Sequence, residues 1–184
     1  NQMIEQDQST FDELDYLFFG GEQTTEKYVR QIQKRNSIKN FCNIYGPTET
    51  TTFALYYPIN HVLEKTPIGK PITNRGAYIL SDMNLCGIGV PGELCITGDG
   101  VSKGYLNKEE LTKEKFINNP FGKGIMYRTG DLARWLDDGN IEYLGRIDEQ
   151  VKIRGFRVEL QEIEGAIRKN KEIKDVTVIA REDK

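Results

Sequence analysis

Four short stretches carry the side chains that could do chemistry. The first is Asn43 to Thr50, NIYGPTET. Gly46-Pro47 forces a sharp turn just after a strand-like run, and Thr48, Glu49 and Thr50 then present hydroxyls and a carboxylate. A carboxylate beside hydroxyls can hold Mg²⁺ against a phosphate, because Mg²⁺ takes few protein oxygens and keeps several waters. Tyr45 supplies a flat face suited to stacking on a base. The same residues equally suit a structural turn with a capping Thr and a solvated Glu. The second stretch is Tyr127 to Leu132, YRTGDL, where Asp131 follows a glycine. A carboxylate there can accept both hydroxyls of a ribose, a bidentate role that neutral side chains match poorly. It could also be a turn Asp bonded to its own backbone.

The third stretch, Gly92 to Asn107 (GELCITGDGVSKGYLN), reads as scaffold. Its glycines suggest turns around a strand, and no Gly-Lys-Ser/Thr follows GDG as a phosphate loop requires. The fourth runs from Tyr143 to Glu164, YLGRIDEQVKIRGFRVELQEIE. Arg146 can reach a ribose or phosphate oxygen, although each charge here also suits a solvated strand face. Val151 and Ile153 alternate with Lys152 and Arg154, which is strand periodicity. From Glu159 onward, Leu160, Ile163 and Ile167 recur at helical spacing.

The elements that must position these groups are legible. Leu14 to Phe19 predicts a short buried strand, stopped by Gly20-Gly21. A helix is expected over Thr24 to Arg35, capped by Thr24 or Thr25, with Val29 and Ile32 as a partial apolar stripe. Phe41 to Tyr45 is a second strand. The order strand, helix, strand predicts a βαβ unit, and ligands favour the turns at its strand ends. After Phe53 the pattern becomes antiparallel: Ala77 to Ser81, Glu93 to Thr97, Met126 to Arg128, Leu132 to Leu136 and Ile141 to Leu144. Asp137-Asp138-Gly139-Asn140 is a hairpin signal between Trp135 and Ile141. Glu109 to Phe116 predicts a short helix, and Val176 to Ala180 a further strand. The fold class expected is mixed α/β: the end of a βαβ layered sheet, a small antiparallel barrel-like part, then the start of a small α+β lid.

Composition excludes several classes. With 38% hydrophobic and 29% charged residues among 184, the chain reads as globular and water-soluble. A net charge of −3 gives no reason to propose nucleic acid or an anionic membrane as partner. No apolar run is long enough to span a bilayer, and no secretion signal opens the chain. Cys42, Cys86 and Cys95 lack CxxC spacing, which argues for free thiols in a cytoplasmic setting. His61 is the only histidine, so triad chemistry and histidine-rich metal sites are not expected.

Taken in order, NIYGPTE, GELCITG with GYL, YRTGDL, and GRIDEQVKIRGFRVELQEIE resemble the adenylate-forming superfamily, and within it the adenylation domains of nonribosomal peptide synthetases. The likeness runs from about Leu14 to the end. It implies that Tyr45 stacks on adenine, Thr48 contacts phosphate and Glu49 coordinates Mg²⁺, so that Thr48 and Glu49 are the catalytic pair. It implies that Asp131 holds the ribose hydroxyls, with Gly21, Tyr143 and Arg146 also at the nucleotide. Asp148 matches the hinge, dividing a core portion at 1–147 (a βαβ part to about 60, a barrel-like part beyond) from a mobile lid beginning at 148. The loop at Arg154-Gly155 is implied to face the site when the thioester forms. The implied substrate pocket is Phe18, Gly20, Ile44, Thr52 and Phe53, an uncharged set suited to isoleucine first and valine second.

The implied reaction uses ATP and Mg²⁺ to activate an amino acid, then passes it to phosphopantetheine on a peptidyl carrier domain, with a condensation domain as neighbour. The family's Ser/Thr/Gly-rich phosphate loop, its amine-pairing aspartate and its C-terminal lysine are not among these residues. The chain is therefore expected to be an excised piece, inactive in isolation. Two alternatives stay open: an acyl- or aryl-CoA ligase of the same superfamily, and a non-catalytic nucleotide-binding module.

Overall fold

The computed structural model describes residues 11, 13–22, 25–35, 38–61, 64–148, 150–153 and 156–181. Strand β1 (Tyr16–Gly20) leads to helix α1 (Glu26–Arg35) and strand β2 (Asn40–Tyr45), and β1 pairs parallel with β2. This is the βαβ unit expected, but β1 is not the buried strand read from its apolar run: Leu17 and Phe19 pack inward, whereas Tyr16 and Phe18 are exposed on the other face. Of the two suggested caps, Thr24 lies outside the described residues. The Thr25 carbonyl accepts the first helical bonds, from the Tyr28 and Val29 amides at 3.0 and 3.4 Å. Val29 and Ile32 bury their stripe against Phe41, Tyr57 and Ile59. Strands β3 (Leu55–Pro58) and β4 (Lys70–Pro71) extend the sheet antiparallel, in the order β1-β2-β3-β4.

The second sheet is antiparallel throughout. It comprises β5 (Arg75–Ser81), β6 (Asn84–Leu85), β7 (Gly92–Gly98), β8 (Phe116–Asn118), β9 (Ile125–Trp135) and β10 (Ile141–Arg146). Its order is β10-β9-β7-β5-β6, with β8 also paired to β9. The two strands expected at Met126 to Arg128 and Leu132 to Leu136 are one continuous strand, β9. The TGD turn between them is a bulge, where the register with β7 shifts between Glu93 and Cys95. A bulge adds residues to one strand without ending the ladder. The Asp137–Asn140 hairpin forms as expected, closed by a Leu136 amide to Asn140 carbonyl bond of 2.8 Å. Helix α2 (Glu109–Lys115) precedes β8.

The two sheets share one core. Leu55 and Ala54 from the first pack with Ile79, Leu94, Ile96, Ala133 and Ile141 from the second. Tyr45, Trp135 and Tyr143 lie against it, half-buried. Fully burying each Leu or Ile here contributes about 1.5–3 kcal/mol, so this seam fixes how the two sheets present their edges to the cleft between them.

Beyond Asp148, β11 (Val151–Ile153) and β12 (Phe156–Val158) form a two-stranded antiparallel sheet, followed by helix α3 (Leu160–Ile167). The alternation at 151–153 and the helical spacing from Leu160 are as read, and β12 is an addition. The Arg154-Gly155 turn lies outside the described residues. The strand expected at Val176 to Ala180 does not form: the segment has no regular structure and no ladder partner among the described residues. Its polar backbone is satisfied locally instead. The Val178 amide donates to Glu164 at 2.9 Å, and the Val176 carbonyl accepts from Arg168 at 3.1 Å. High β-propensity makes a strand only where another strand offers its edge. Among the described residues no helix is long and apolar enough to cross a membrane.

Candidate functional site

Two clusters and a cleft collect the chemically capable side chains. The first cluster centres on Asp131, which is buried in the β9 bulge. Asp131 and Arg146 are register partners on β9 and β10, so the sheet itself sets them side by side. Arg146 Nη1 donates to Asp131 Oδ1 at 2.9 Å and to the Thr129 carbonyl at 2.8 Å. The same guanidinium donates from Nε to Asp148 Oδ1 at 2.8 Å, and from Nη2 to Asp148 Oδ2. The Tyr45 hydroxyl donates to Asp131 Oδ2. From the backbone side, the Asp131 amide donates to Thr129 Oγ1 at 3.0 Å, and that hydroxyl donates to the Leu94 carbonyl at 2.7 Å. Glu93 holds the adjacent turn. Its Oε1 accepts the Gly130 amide at 3.1 Å while Oε2 accepts Arg128 at 2.9 and 2.7 Å.

These contacts set the charges. Burial pushes the Asp148 carboxyl up, but Arg146 outweighs it and holds Asp148 below the usual range. Burial works against the Arg146 cation, yet Asp148 and Asp131 raise it overall. Burial and then the Asp131 charge raise the Tyr45 phenol and push the Tyr143 phenol up to about 12, so both rings stay neutral. An ionised carboxylate offers about four acceptor positions. Tyr45 and Arg146 take one on each Asp131 oxygen, which leaves each oxygen able to accept a further hydroxyl. A vicinal diol fits that requirement.

A cleft open to solvent is lined by Gly21, Ile44, Tyr45, Gly46 and Tyr143 with Lys65 and Lys152, and Tyr45 links it to Asp131. Thus Gly21, Tyr45 and Tyr143, far apart in sequence, face one space.

The second cluster centres on Glu49, inside a single 3-10 turn at Thr48–Thr50. Two consecutive β-branched residues after it, Thr51 and Thr52, have φ of 59° and 64°. Left-handed backbone is costly for such residues and persists where surrounding contacts hold it. Thr51 Oγ1 is anchored to the Gly100 carbonyl at 2.8 Å. Gly46 makes the loop possible, because a Cβ there would lie 2.3 Å from the Thr52 carbonyl oxygen. Thr48 is exposed, whereas the Glu49 side chain is only 8% exposed. Its Oε1 accepts the Tyr105 hydroxyl at 2.6 Å, and Arg157 Nη1 spans both oxygens at 2.8 and 3.0 Å. Burial raises the Glu49 pKa, but the hydrogen bonds and Arg157 together bring it below the ordinary value. Tyr127 stands 3.3 Å from the Tyr105 hydroxyl, and burial pushes its phenol up to about 12.

The residues read as a substrate pocket fall in two places. In the β1–β2 register Phe18 lies opposite Cys42 and Gly20 opposite Ile44, so Phe18, Gly20 and Ile44 share one face of the pair. Thr52 and Phe53 lie in the loop leaving β2. Phe18 and Phe53 are 51% and 43% exposed. Gly20 does more than leave room: a Cβ there would meet the Ile44 carbonyl at 2.1 Å, so the strand pairing itself demands glycine.

Sequence reading missed Arg157, Tyr105, Thr129, Lys65 and Lys152. Tyr105 and Arg157 stand inside the quoted GYL and RVEL stretches, yet their partner Glu49 lies 56 and 108 residues away. No local pattern could connect them. Among the described residues, no group of three or more His, Cys, Asp or Glu side chains is placed to hold a metal. Glu49 with Thr48 suits Mg²⁺ only as a minor ligand set completed by phosphate and water oxygens, and only once Arg157 has left the carboxylate.

Residues 1–106 match the family model described as AMP-binding enzyme. Tyrocidine synthase 3 of Brevibacillus parabrevis is 52% identical over 186 residues, covering 100% of this chain and 3% of that protein. Surfactin synthase subunit 3 of Bacillus subtilis (strain 168) is 51% identical over 169 residues, covering 89% and 13% respectively. The chain thus spans a small share of the length of these relatives. Among solved structures, an NRPS protein containing adenylation and PCP domains superposes with a TM-score of 0.88 at 30% identity, over 100% of this chain and 38% of that one. An artificially fused adenylation–PCP di-domain NRPS from Klebsiella oxytoca gives 0.86 at 28% identity, over 100% and 35%.

Proposed function

Because the chain belongs to the AMP-binding enzyme family, we propose that it is the nucleotide-holding part of a nonribosomal peptide synthetase adenylation domain, continuing into the start of its lid. In this reading residues 1–147 belong to the ATP-binding core, the lid begins at 148, and Asp148 is the hinge. The reaction joins an amino-acid carboxylate oxygen to the α-phosphorus of ATP and breaks the bond to pyrophosphate, leaving aminoacyl-AMP. A carrier-domain phosphopantetheine thiol then displaces AMP to form the thioester, and a condensation domain uses it. The setting proposed is cytoplasmic.

The observation that carries the reading is the Tyr45–Asp131–Arg146–Asp148 network at the mouth of a cleft between two tyrosines. Tyr45, Tyr143 and Gly21 would flank the adenine. Asp131 would accept the ribose hydroxyls on its spare lone pairs, with Arg146 holding the carboxylate in place. Arg146 also ties this carboxylate to Asp148, so the ribose ligand and the hinge share one cation. Thr48 would donate to a phosphate oxygen. Mg²⁺, when bound through Glu49, would offset phosphate charge as the α-phosphorus is attacked. Positioning of the two reactants supplies much of the remainder. Phe18, Gly20, Ile44, Thr52 and Phe53 would receive an uncharged branched side chain, isoleucine or valine. One methylene separates these two, worth about 1–3 kcal/mol of discrimination.

Amino-acid-dependent ATP–pyrophosphate exchange by the native polypeptide carrying these residues tests the reading. Isoleucine and valine are expected to drive exchange, and Asp131→Asn to raise the KM for ATP at least tenfold. Exchange driven by neither, with CoA thioester formed from a free carboxylic acid instead, would favour a CoA ligase. Unchanged ATP kinetics in Asp131→Asn would remove the ribose role.

A further inference from the structure

Three hydrogen bonds engage both oxygens of the Glu49 carboxylate. Arg157 Nη1 lies 2.8 and 3.0 Å from its two oxygens, and Tyr105 adds a third bond at 2.6 Å. Arg157 belongs to β12, in the segment beyond the hinge, and reaches a loop 108 residues earlier. Glu159 steadies the guanidinium from behind, accepting Arg157 Nε at 3.3 Å and Gln150 Nε2 at 2.6 Å. A second tie joins the same two parts, Lys108 to Glu162 at 3.4 Å. That tie is exposed on both sides, so it contributes little. The Glu49–Arg157 pair has one nearly buried partner and is the main polar clamp between them.

A metal ion on Glu49 would sit about 2.0–2.1 Å from a carboxylate oxygen. A guanidinium nitrogen bridging both oxygens occupies that same approach and repels a second cation. Glu49 can therefore hold one cation at a time. Resting on the functional reading above, we propose that Glu49 exchanges Mg²⁺ for Arg157. Arg157 is then a positioning residue that docks the β11–β12 hairpin and α3 onto the nucleotide core only when Glu49 carries no metal. With Mg²⁺ held on Glu49, Arg157 would have to leave the carboxylate and the clamp would open; with Glu49 free of metal, Arg157 would return to both oxygens and dock the hairpin. By linkage, whatever Arg157 contributes to docking it subtracts from Mg²⁺-assisted ATP binding.

Calorimetric titration of ATP into the native polypeptide, without amino acid, reads this directly. The titration is run in EDTA and then over a series of MgCl₂ concentrations. Arg157→Gln is expected to leave ATP affinity in EDTA unchanged and to tighten affinity in MgCl₂ by about fivefold or more. Arg157→Lys, which keeps the charge, should stay near wild type, and Glu49→Gln should abolish the Mg²⁺ dependence. A variant that had merely lost structure would weaken ATP binding in both conditions. An identical Mg²⁺ response in wild type and Arg157→Gln overturns this proposal alone. No ATP binding by the wild type at any MgCl₂ overturns the functional reading and this proposal together.

Discussion

The Asp131 and Glu49 clusters are both carboxylates gripped by arginine, yet they are built differently. Asp131 and Arg146 are partners in adjacent strands, and the sheets behind them share a core through Leu55, Leu94 and Ile141. Glu49 sits on a strained loop, and its arginine arrives from two strands that, among the described residues, pair only with each other. A contact set by sheet register is present before any ligand arrives and costs nothing further to organise. A contact made from a separate two-stranded sheet can be exchanged for another. The molecule thus places a rigid grip where a ribose would need one and a replaceable grip where a metal would come and go.

Breaking the rigid cluster should have the largest effect. Arg146→Met leaves Asp131 buried without its cation, and removing one partner of a buried pair costs about 3–5 kcal/mol. A drop of several degrees in the thermal unfolding midpoint is expected, and a midpoint within one degree of wild type would refute the contrast. Glu93→Gln tests how the bulge is held, since it weakens the grip on Arg128 and the Gly130 amide. A loss of about 1–3 kcal/mol is expected from denaturant unfolding, together with weaker ATP binding. If stability falls while ATP affinity holds, Glu93 supports the sheet and not the Asp131 carboxylate.

Breaking the replaceable cluster should cost less. Arg157 is 37% exposed and Glu49 keeps its Tyr105 bond, so Arg157→Gln is expected to cost about 1–3 kcal/mol, less than Arg146→Met. A loss as large as that of Arg146→Met would make the two clusters alike. The smallest effect concerns pH. Burial raises the Glu142 carboxyl, but Arg134 at 2.6 Å and Lys65 at 3.1 Å lower it overall. The folded state therefore binds this proton less readily than the unfolded state. Its contribution is complete above the unfolded value near 4.3 and is lost as pH falls through the lower folded value. Unfolding midpoints between about pH 5 and 3 should fall less steeply in Glu142→Gln than in wild type, and equal slopes would assign the acid sensitivity elsewhere.

Much of the framework was readable from local pattern. Short runs stopped by glycine turns marked β1 and β2, extended pieces between turns marked β7 and β10, alternation marked β11, the Val29–Ile32 stripe marked α1, and DDGN marked the β9–β10 hairpin. These depend on patterns of a few residues, which a linear reading can see. Two misreadings share a cause. Met126 to Leu136 was divided because a glycine looks like a break, whereas β7 and β10 on either side carry the strand through its bulge. Val176 to Ala180 has strand composition, but no neighbouring edge among the described residues takes it up.

The same division holds at the site. By itself the sequence determined which side chains exist to do chemistry, and in what order: a tyrosine and a glutamate at the exit of β2, an aspartate after a glycine, an arginine and an aspartate before a hairpin. Residue type and short spacing suffice for that. Only the tertiary structure decided which of them meet. Tyr45 reaches Asp131 across 86 residues, and Arg157 reaches Glu49 across 108. Such pairings depend on strand register, a shared core and the placing of a separate two-stranded sheet, and none of these is a property of neighbouring residues.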